Sequence, residues 1–248
     1  MTELAVSLLG PMQVSVHGTP VTLTTGRLRA VLAVLAMSAR TTVPVSRLAS
    51  AVWGTRLPAS TRRSVQTYVT RVRRVLGSAV IETRPAGYIL QVDPDSVDAL
   101  RFLNLVRLAD RAADTRTEWS RLTAALNLWR GTPFEDVRAA VLNELEAPRL
   151  REHYLAALER RTDIDIANGR HRLIAAELSG QAAQHPLRES LWARLLVVLA
   201  RCGRDAEALA AYETVRKHLA VELGTEPGAE LQRMYADLLA GRPPTQMP

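Results

Sequence analysis

Between Pro58 and Gly77 the chain reads PASTRRSVQTYVTRVRRVLG, a stretch rich in arginine and threonine that no acidic residue interrupts. Guanidinium groups can grip guanine O6 and N7 in bidentate fashion or neutralise phosphates, and threonine can meet a base edge or a thymine methyl. That chemistry requires one side of the segment to be anchored. Val65, Val69, Val72 and Leu76 follow the i, i+4, i+7, i+11 spacing of a buried stripe on a helix that begins near Ser60. At about 100° per residue, Arg63, Thr67, Thr70, Arg71 and Arg74 face away from the stripe, with Arg62, Gln66 and Arg73 on a flank. The pattern describes a helix held by its valines and open on its cationic side, the form of a major-groove reader. In isolation, a merely solvated charged face would have the same pattern.

The elements needed to position such a helix are present on both sides of it. Residues 3–16 alternate like strands around a Gly10-Pro11 break, and His17-Gly18-Thr19-Pro20 is a turn before a short strand at Val21 to Leu23. Thr24 or Thr25 can cap a helix to about Ala39, with Leu28, Val31, Leu32, Leu35 and Ala36 on its apolar face. An extended piece from Thr42 to Val45 precedes a brief helix capped by Ser46 and ended by Trp53-Gly54. After Gly77, AVIETRPAGYILQV reads as two β-rich runs around Arg84-Pro85-Ala86-Gly87. Strands, three helices and a closing hairpin form a winged helix-turn-helix, with Arg84 at the tip of the wing and suited to a narrow minor groove.

Charge separates this unit from the remainder of the chain. The whole chain carries 32 basic and 25 acidic residues. Residues 1–95 hold eleven arginines against Glu3, Glu82, Asp93 and Asp95, which accounts for the entire net charge of +7 and leaves 21 groups of each sign beyond. A basic module joined to a neutral one points to a polyanion met by the first alone. Asp93-Pro94-Asp95-Ser96 looks like the boundary, giving domains at 1–95 and 96–242 with a tail at 243–248.

The second part is helical in pattern. Candidate helices are Val97 to Ala113, Thr117 to Trp129, Val137 to Gly169 with a break near Pro148, His171 to Gln184, Leu187 to Arg201, Asp205 to Leu223 and Ala229 to Ala240. Gly203 follows Gly169 by 34 residues, the tetratricopeptide period, and Trp192, Leu195, Leu199, Ala208 and Tyr212 fit its signature positions. Arg161 stands where the preceding repeat expects leucine. The fold class expected is therefore mixed: an N-terminal α/β winged helix-turn-helix followed by an all-α, tetratricopeptide-like domain.

Other chemistries find little support. Cys202 is the only cysteine, which excludes an intrachain disulfide, and with His17, His153, His171, His185 and His218 it shows no metal-ligand spacing. Asp163 and Asp165 would point to different sides of a helix, and neither a phosphate-cradling glycine loop nor a GxSxG elbow is present. MTELAVSLLG lacks the features of a signal peptide, and the apolar run Leu191 to Ala200 is too short for a bilayer. The expectation is a soluble cytoplasmic protein without enzymatic activity, cofactor or metal.

The blocks LLGPMQVSVHG, RLRAVLAVLA, VPVSRLASAVWG, SVQTYVTRVRRVLG and IETRPAGYIL resemble the OmpR-type winged helix that opens members of the Streptomyces antibiotic regulatory protein family. AALNLWRGTPF, HPLRESLWARLLVVLARCGRDAEALAAYETVR and ELGTEPGAEL resemble that family's bacterial transcriptional activation domain. The resemblance implies a pathway-level activator of a secondary-metabolite gene cluster. Such a protein binds promoter DNA at direct repeats near the −35 region as a head-to-tail pair or homodimer and helps RNA polymerase holoenzyme engage. It places Thr67 and Arg71 at base-reading positions, Arg63, Arg73 and Arg74 at phosphates or the groove margin, and Arg84 with Tyr88 in the wing. The full candidate set for DNA contact is Arg62, Arg63, Ser64, Thr67, Tyr68, Thr70, Arg71, Arg73, Arg74, Arg84 and Tyr88. Leu28 departs from the polar residue expected early in the first helix. The chain is expected to lack the nucleotide-binding and further repeat domains of larger members and a preceding receiver domain. An alternative is a tetratricopeptide-like scaffold whose basic front binds RNA or an acidic partner.

Overall fold

The structure, a computed structural model, describes residues 3–244. Most of the expected tail, residues 245–248, lies outside the described residues. The chain divides into two compact units, residues 1–157 and 158–248.

The first unit opens with an antiparallel sheet of β1 (Leu4–Ser7), β2 (Gln13–Val16) and β3 (Thr19–Pro20), in the order β1-β2-β3. Alternation sets its register: Leu4 pairs with Val16 and Val6 with Val14, so Leu4, Val6 and Val14 share the buried face. The third strand forms two residues earlier than the sequence suggests, because Thr19 and Pro20 pair with Val16 and Ser15 directly after the His17-Gly18 turn. Thr25 caps α1 (Gly26–Ala36), its hydroxyl accepting from the Leu28 N–H. This helix is buried from Ala30 through Ala36. After β4 (Val43–Pro44), α2 (Val45–Trp53) has Pro44 at its N-cap rather than the expected Ser46, since proline's fixed φ and extended ψ serve as the entry. Next come α3 (Thr61–Leu76), then β5 (Ile81–Arg84) and β6 (Gly87–Leu90), which form a second sheet ordered β4-β6-β5.

Two helices of the activator-like region, α4 (Asp98–Ala109) and α5 (Thr115–Leu126), also belong to this unit, together with the loop that follows them. They bind the segment that links β1 to β2. The backbone N–H groups of Leu8 and Leu9 donate to the two carboxylate oxygens of Asp98 at 2.6 and 3.1 Å, and Arg130 reaches the same carboxylate at 3.5 Å. Burial raises the Asp98 pKa above its ordinary value, while the two amides and Arg130 draw it back. The N–H groups of Arg130 and Phe134 return bonds to the carbonyls of Leu9 and Leu8. Asp136 accepts from the Met12 N–H at 2.8 Å and pairs with Arg29 of α1 at 2.9 Å. Gly10 lies so close that an added Cβ would sit 3.1 Å from both the Arg130 Cβ and the Gly131 nitrogen.

This strapping explains why no helix starts at Val137. Phe134 is buried with φ of 58°, a conformation held by its bond to Leu8, and the chain turns through Asn143, whose side chain donates to the Val137 carbonyl. A five-residue π-helical stretch, Leu142–Glu146, then leads into α6 (Ala147–Ala167).

The second unit stacks the end of α6 with α7 (His171–Gln184), α8 (Glu189–Arg201), α9 (Asp205–Leu223) and α10 (Ala229–Leu239). Gly169 and Gly203 adopt matching φ values of 72° and 73°, one repeat apart. Trp192, Leu195, Leu199, Ala208 and Tyr212 are all buried, as the repeat signature requires. Arg161 is buried despite its charge, bound to Glu177 at 2.6 Å and near Asp165 at 3.7 Å. Asp163 pairs instead with Arg194 at 2.7 Å, so the two aspartates do point to different partners.

Removing the Asp98 carboxylate strands two buried amides. Asp98→Ala should lower stability by about 1 to 3 kcal/mol in denaturant unfolding. Asp136→Ala, whose carboxylate is more exposed, should cost less.

Candidate nucleic-acid interface

The candidate reading helix is α3, and its rotation is set by what it buries. Val65, Val69 and Val72 are completely buried and Leu76 nearly so, packed within the core that α1 and α2 share. Arg62, Arg63, Gln66, Thr67, Thr70, Arg71 and Arg74 are exposed, and Ser64 is half-buried. Thr67 donates its hydroxyl proton to the Arg63 carbonyl at 3.0 Å, which leaves its oxygen lone pairs and methyl turned outward.

Three of the expected contact residues have other work. Arg73 is half-buried and turned toward the wing, donating from Nε and Nη2 to the Ile81 carbonyl at 2.9 and 2.6 Å and from Nη2 to the Thr83 hydroxyl at 2.8 Å. Tyr88 is 6% exposed, with its ring centroid 6.0 Å from the Arg73 guanidinium. For both, the expected DNA contact gives way to a structural role: Arg73 pins β5 to α3, and Tyr88 lies under that pin in β6, a strand buried at every position. Tyr68 is half-buried, its ring edge-on to Trp53 at 5.7 Å. The Arg71 guanidinium lies 5.7 Å from the Tyr68 ring centroid, and Arg27 of α1 donates to the Tyr68 hydroxyl at 3.1 Å.

Arg84 is exposed beside the two-residue turn Pro85-Ala86, across from Gly87. It is engaged with Glu82, two residues back on the same face of β5, at 2.9 Å. Such an exposed pair is worth about 0 to 1 kcal/mol, so a phosphate can displace it. The wing base admits no side chain at Gly87, where a Cβ would fall 1.9 Å from the Val43 carbonyl oxygen.

The sequence reading missed Arg27, Asp98, Arg130 and Asp136. Each acts across at least 30 residues of chain, and no local spacing announces such a contact.

Residues 97–239 match the family described as the bacterial transcriptional activator domain, and residues 18–90 match the C-terminal domain of transcriptional regulatory proteins. The chain is 38% identical over 255 residues to regulatory protein DnrI of Streptomyces peucetius, covering 97% of this chain and 93% of DnrI. It belongs to the Streptomyces antibiotic regulatory protein family. Within that family, the transcriptional regulator RedD of Streptomyces coelicolor is 32% identical over 98% of this chain and 72% of its own length. The chain also matches the transcriptional regulatory protein EmbR of Mycobacterium tuberculosis at 35% identity, covering 97% of itself but 64% of EmbR. A solved structure of that EmbR with a low-affinity phosphopeptide superposes with a TM-score of 0.86 at 33% identity, covering 98% of this chain and 66% of the other. The antibiotic regulatory protein family consists of transcriptional regulators, and this chain is one of them. Among the described residues, no helix is long and apolar enough to cross a membrane.

The pin and the wing base are open to direct test. Arg73→Ala should destabilise the protein by about 1 to 2 kcal/mol in thermal or denaturant unfolding. Gly87→Ala, which forces β4 and β6 apart, should cost about 1 to 3 kcal/mol or more.

Proposed function

We propose that this regulator activates transcription by laying α3 in the major groove of promoter DNA, with the wing beside the neighbouring minor groove. The observation that carries the reading is the division of α3: all four apolar anchors are inside, and the outward residues are arginine, threonine and glutamine apart from Val75 in the last turn. No acidic residue occurs between Glu3 and Glu82, so nothing within the helical core of the winged helix opposes a polyanion.

Arg71 and Thr67 read bases in this arrangement. Arg71 suits guanine O6 and N7, and Thr67, with its proton committed to the helix, offers an acceptor or a methyl to a base edge. Arg62, Arg63 and Arg74 hold phosphates or the groove margin, and Arg84 exchanges Glu82 for the minor-groove side. The resemblance to the family supports a target of short direct repeats near the −35 region, occupied head-to-tail, with RNA polymerase engaged next to them and a secondary-metabolite gene cluster under control.

Footprinting of promoters enriched by chromatin immunoprecipitation tests the proposal. Protection of a direct repeat is the expected result. Uniform weak retention of any polyanion would replace it with a scaffold that binds RNA or an acidic partner.

Two substitutions separate reading from holding. Arg71→Ala should cost about 1 to 3 kcal/mol on the preferred site and relax preference at one base position, as measured by binding to a panel of single-base variants. Arg63→Ala or Arg74→Ala should weaken binding on all sequences and reduce the slope of log affinity against log salt by about one unit.

A further inference from the structure

We infer that Arg27, from the first turn of α1, is a second-helix contact to the DNA backbone, aimed there by the Tyr68 hydroxyl. The inference rests on the proposal that α3 lies in a major groove and adds a residue outside the reading helix and the wing.

The geometry begins at Tyr68. Trp53 at the end of α2 meets its ring edge-on at 5.7 Å, and Val65 and Val69 on either side of it in α3 are buried, so the ring is held from beneath. Two arginines from different helices use this one side chain. Arg71 lies at the ring, 5.7 Å from its centroid, and Arg27 donates Nη1 to the hydroxyl at 3.1 Å. Both arginines are exposed. Neither takes part in any carboxylate ion pair among the described residues. In sequence the nearest acids are Glu3 on one side and Glu82 on the other.

Two like charges gathered at one tyrosine without a counter-ion repel each other in the free protein. An anion brought between them relieves that repulsion. Among the described residues, Arg27 donates through Nη1 to Tyr68, which leaves its other edge for a bidentate phosphate contact. The first turn of α1 contains no acidic residue to compete.

Position selects phosphate over base. A major groove about 12 Å wide is filled by a single helix. A side chain that reaches the flank of α3 from a neighbouring helix therefore meets the groove's rim, where the phosphates are. The phenol fixes where that guanidinium sits, which makes Tyr68 a positioning residue rather than a reader.

The test measures affinity against salt for the full chain on a random-sequence duplex, with thermal unfolding in parallel, for the native protein, Arg27→Ala, Arg27→Lys and Tyr68→Phe. Arg27→Ala should reduce the salt slope by about 0.9 and leave the melting midpoint in place. Arg27→Lys should keep the native slope with weaker binding, because the charge remains and the fork is lost. Tyr68→Phe should weaken binding less than Arg27→Ala, since the ring under Arg71 is retained. An unchanged slope for folded Arg27→Ala would overturn the inference, as would a lowered melting midpoint accompanied by native binding. Failure of the native protein to bind the duplex in a salt-dependent way would instead refute the proposed function itself.

Discussion

The burial of three valines and a leucine along one line of α3 is the constraint on which the rest of the first unit depends. Complete removal of these side chains from water contributes on the order of 6 to 12 kcal/mol, an upper figure because a denatured chain already hides some of that surface. Rotating the helix by one residue, about 100°, would forfeit most of this and drive arginines into the core. The angle of the helix about its own axis is therefore settled by its apolar side alone. The polar side is free to carry charge that no folding requirement would have selected.

Around that helix the polar groups do two kinds of work. Arg73 joins the wing to the helix through the Ile81 carbonyl, and Tyr68 joins α1 and α2 to it through Arg27 and Trp53. These contacts tie α3, the β5–β6 hairpin and α1 to one another. Behind them, Asp98 and Asp136 accept the backbone amides of the segment that links β1 to β2. The winged helix and the first helices of the activator-like region belong to one compact unit, although the composition of residues 93–96 reads as a domain boundary. A bend in charge composition marks where chemistry changes, not where packing stops.

The legible features were those that depend on near neighbours. Period 3.6 placed α1, α3 and most later helices, period 2 placed β1 and β2, and the 34-residue spacing put Gly169 and Gly203 in matching turns. Angle set Arg73 on the flank of α3 and Arg74 on its outward face, but angle alone does not say what a flank residue binds. The wing carbonyl that Arg73 binds comes from the other side of a turn. Tyr88 was placed in the wing by the family resemblance alone, which carries position but not burial, and β6 is buried at every position. Arg161 breaks the repeat signature and is nonetheless interior, because Glu177 and Asp165 satisfy its charge there. Around residues 130–137, helix propensity yields to hydrogen bonds with residues 8, 9 and 12, partners more than a hundred positions away.

The double use of basic residues on α3 bears on how such a regulator could be redirected to a different promoter. Transplanting the whole helix from a relative would bring new outward side chains but would place the graft's own residue where Arg73 holds the Ile81 carbonyl, and its own ring or none where Tyr68 receives Arg27. Exchanging only the solvent-facing ranks leaves both joints whole. On the proposed role of α3, the operator preference is then rewritten a few letters at a time while the scaffold beneath is inherited unchanged.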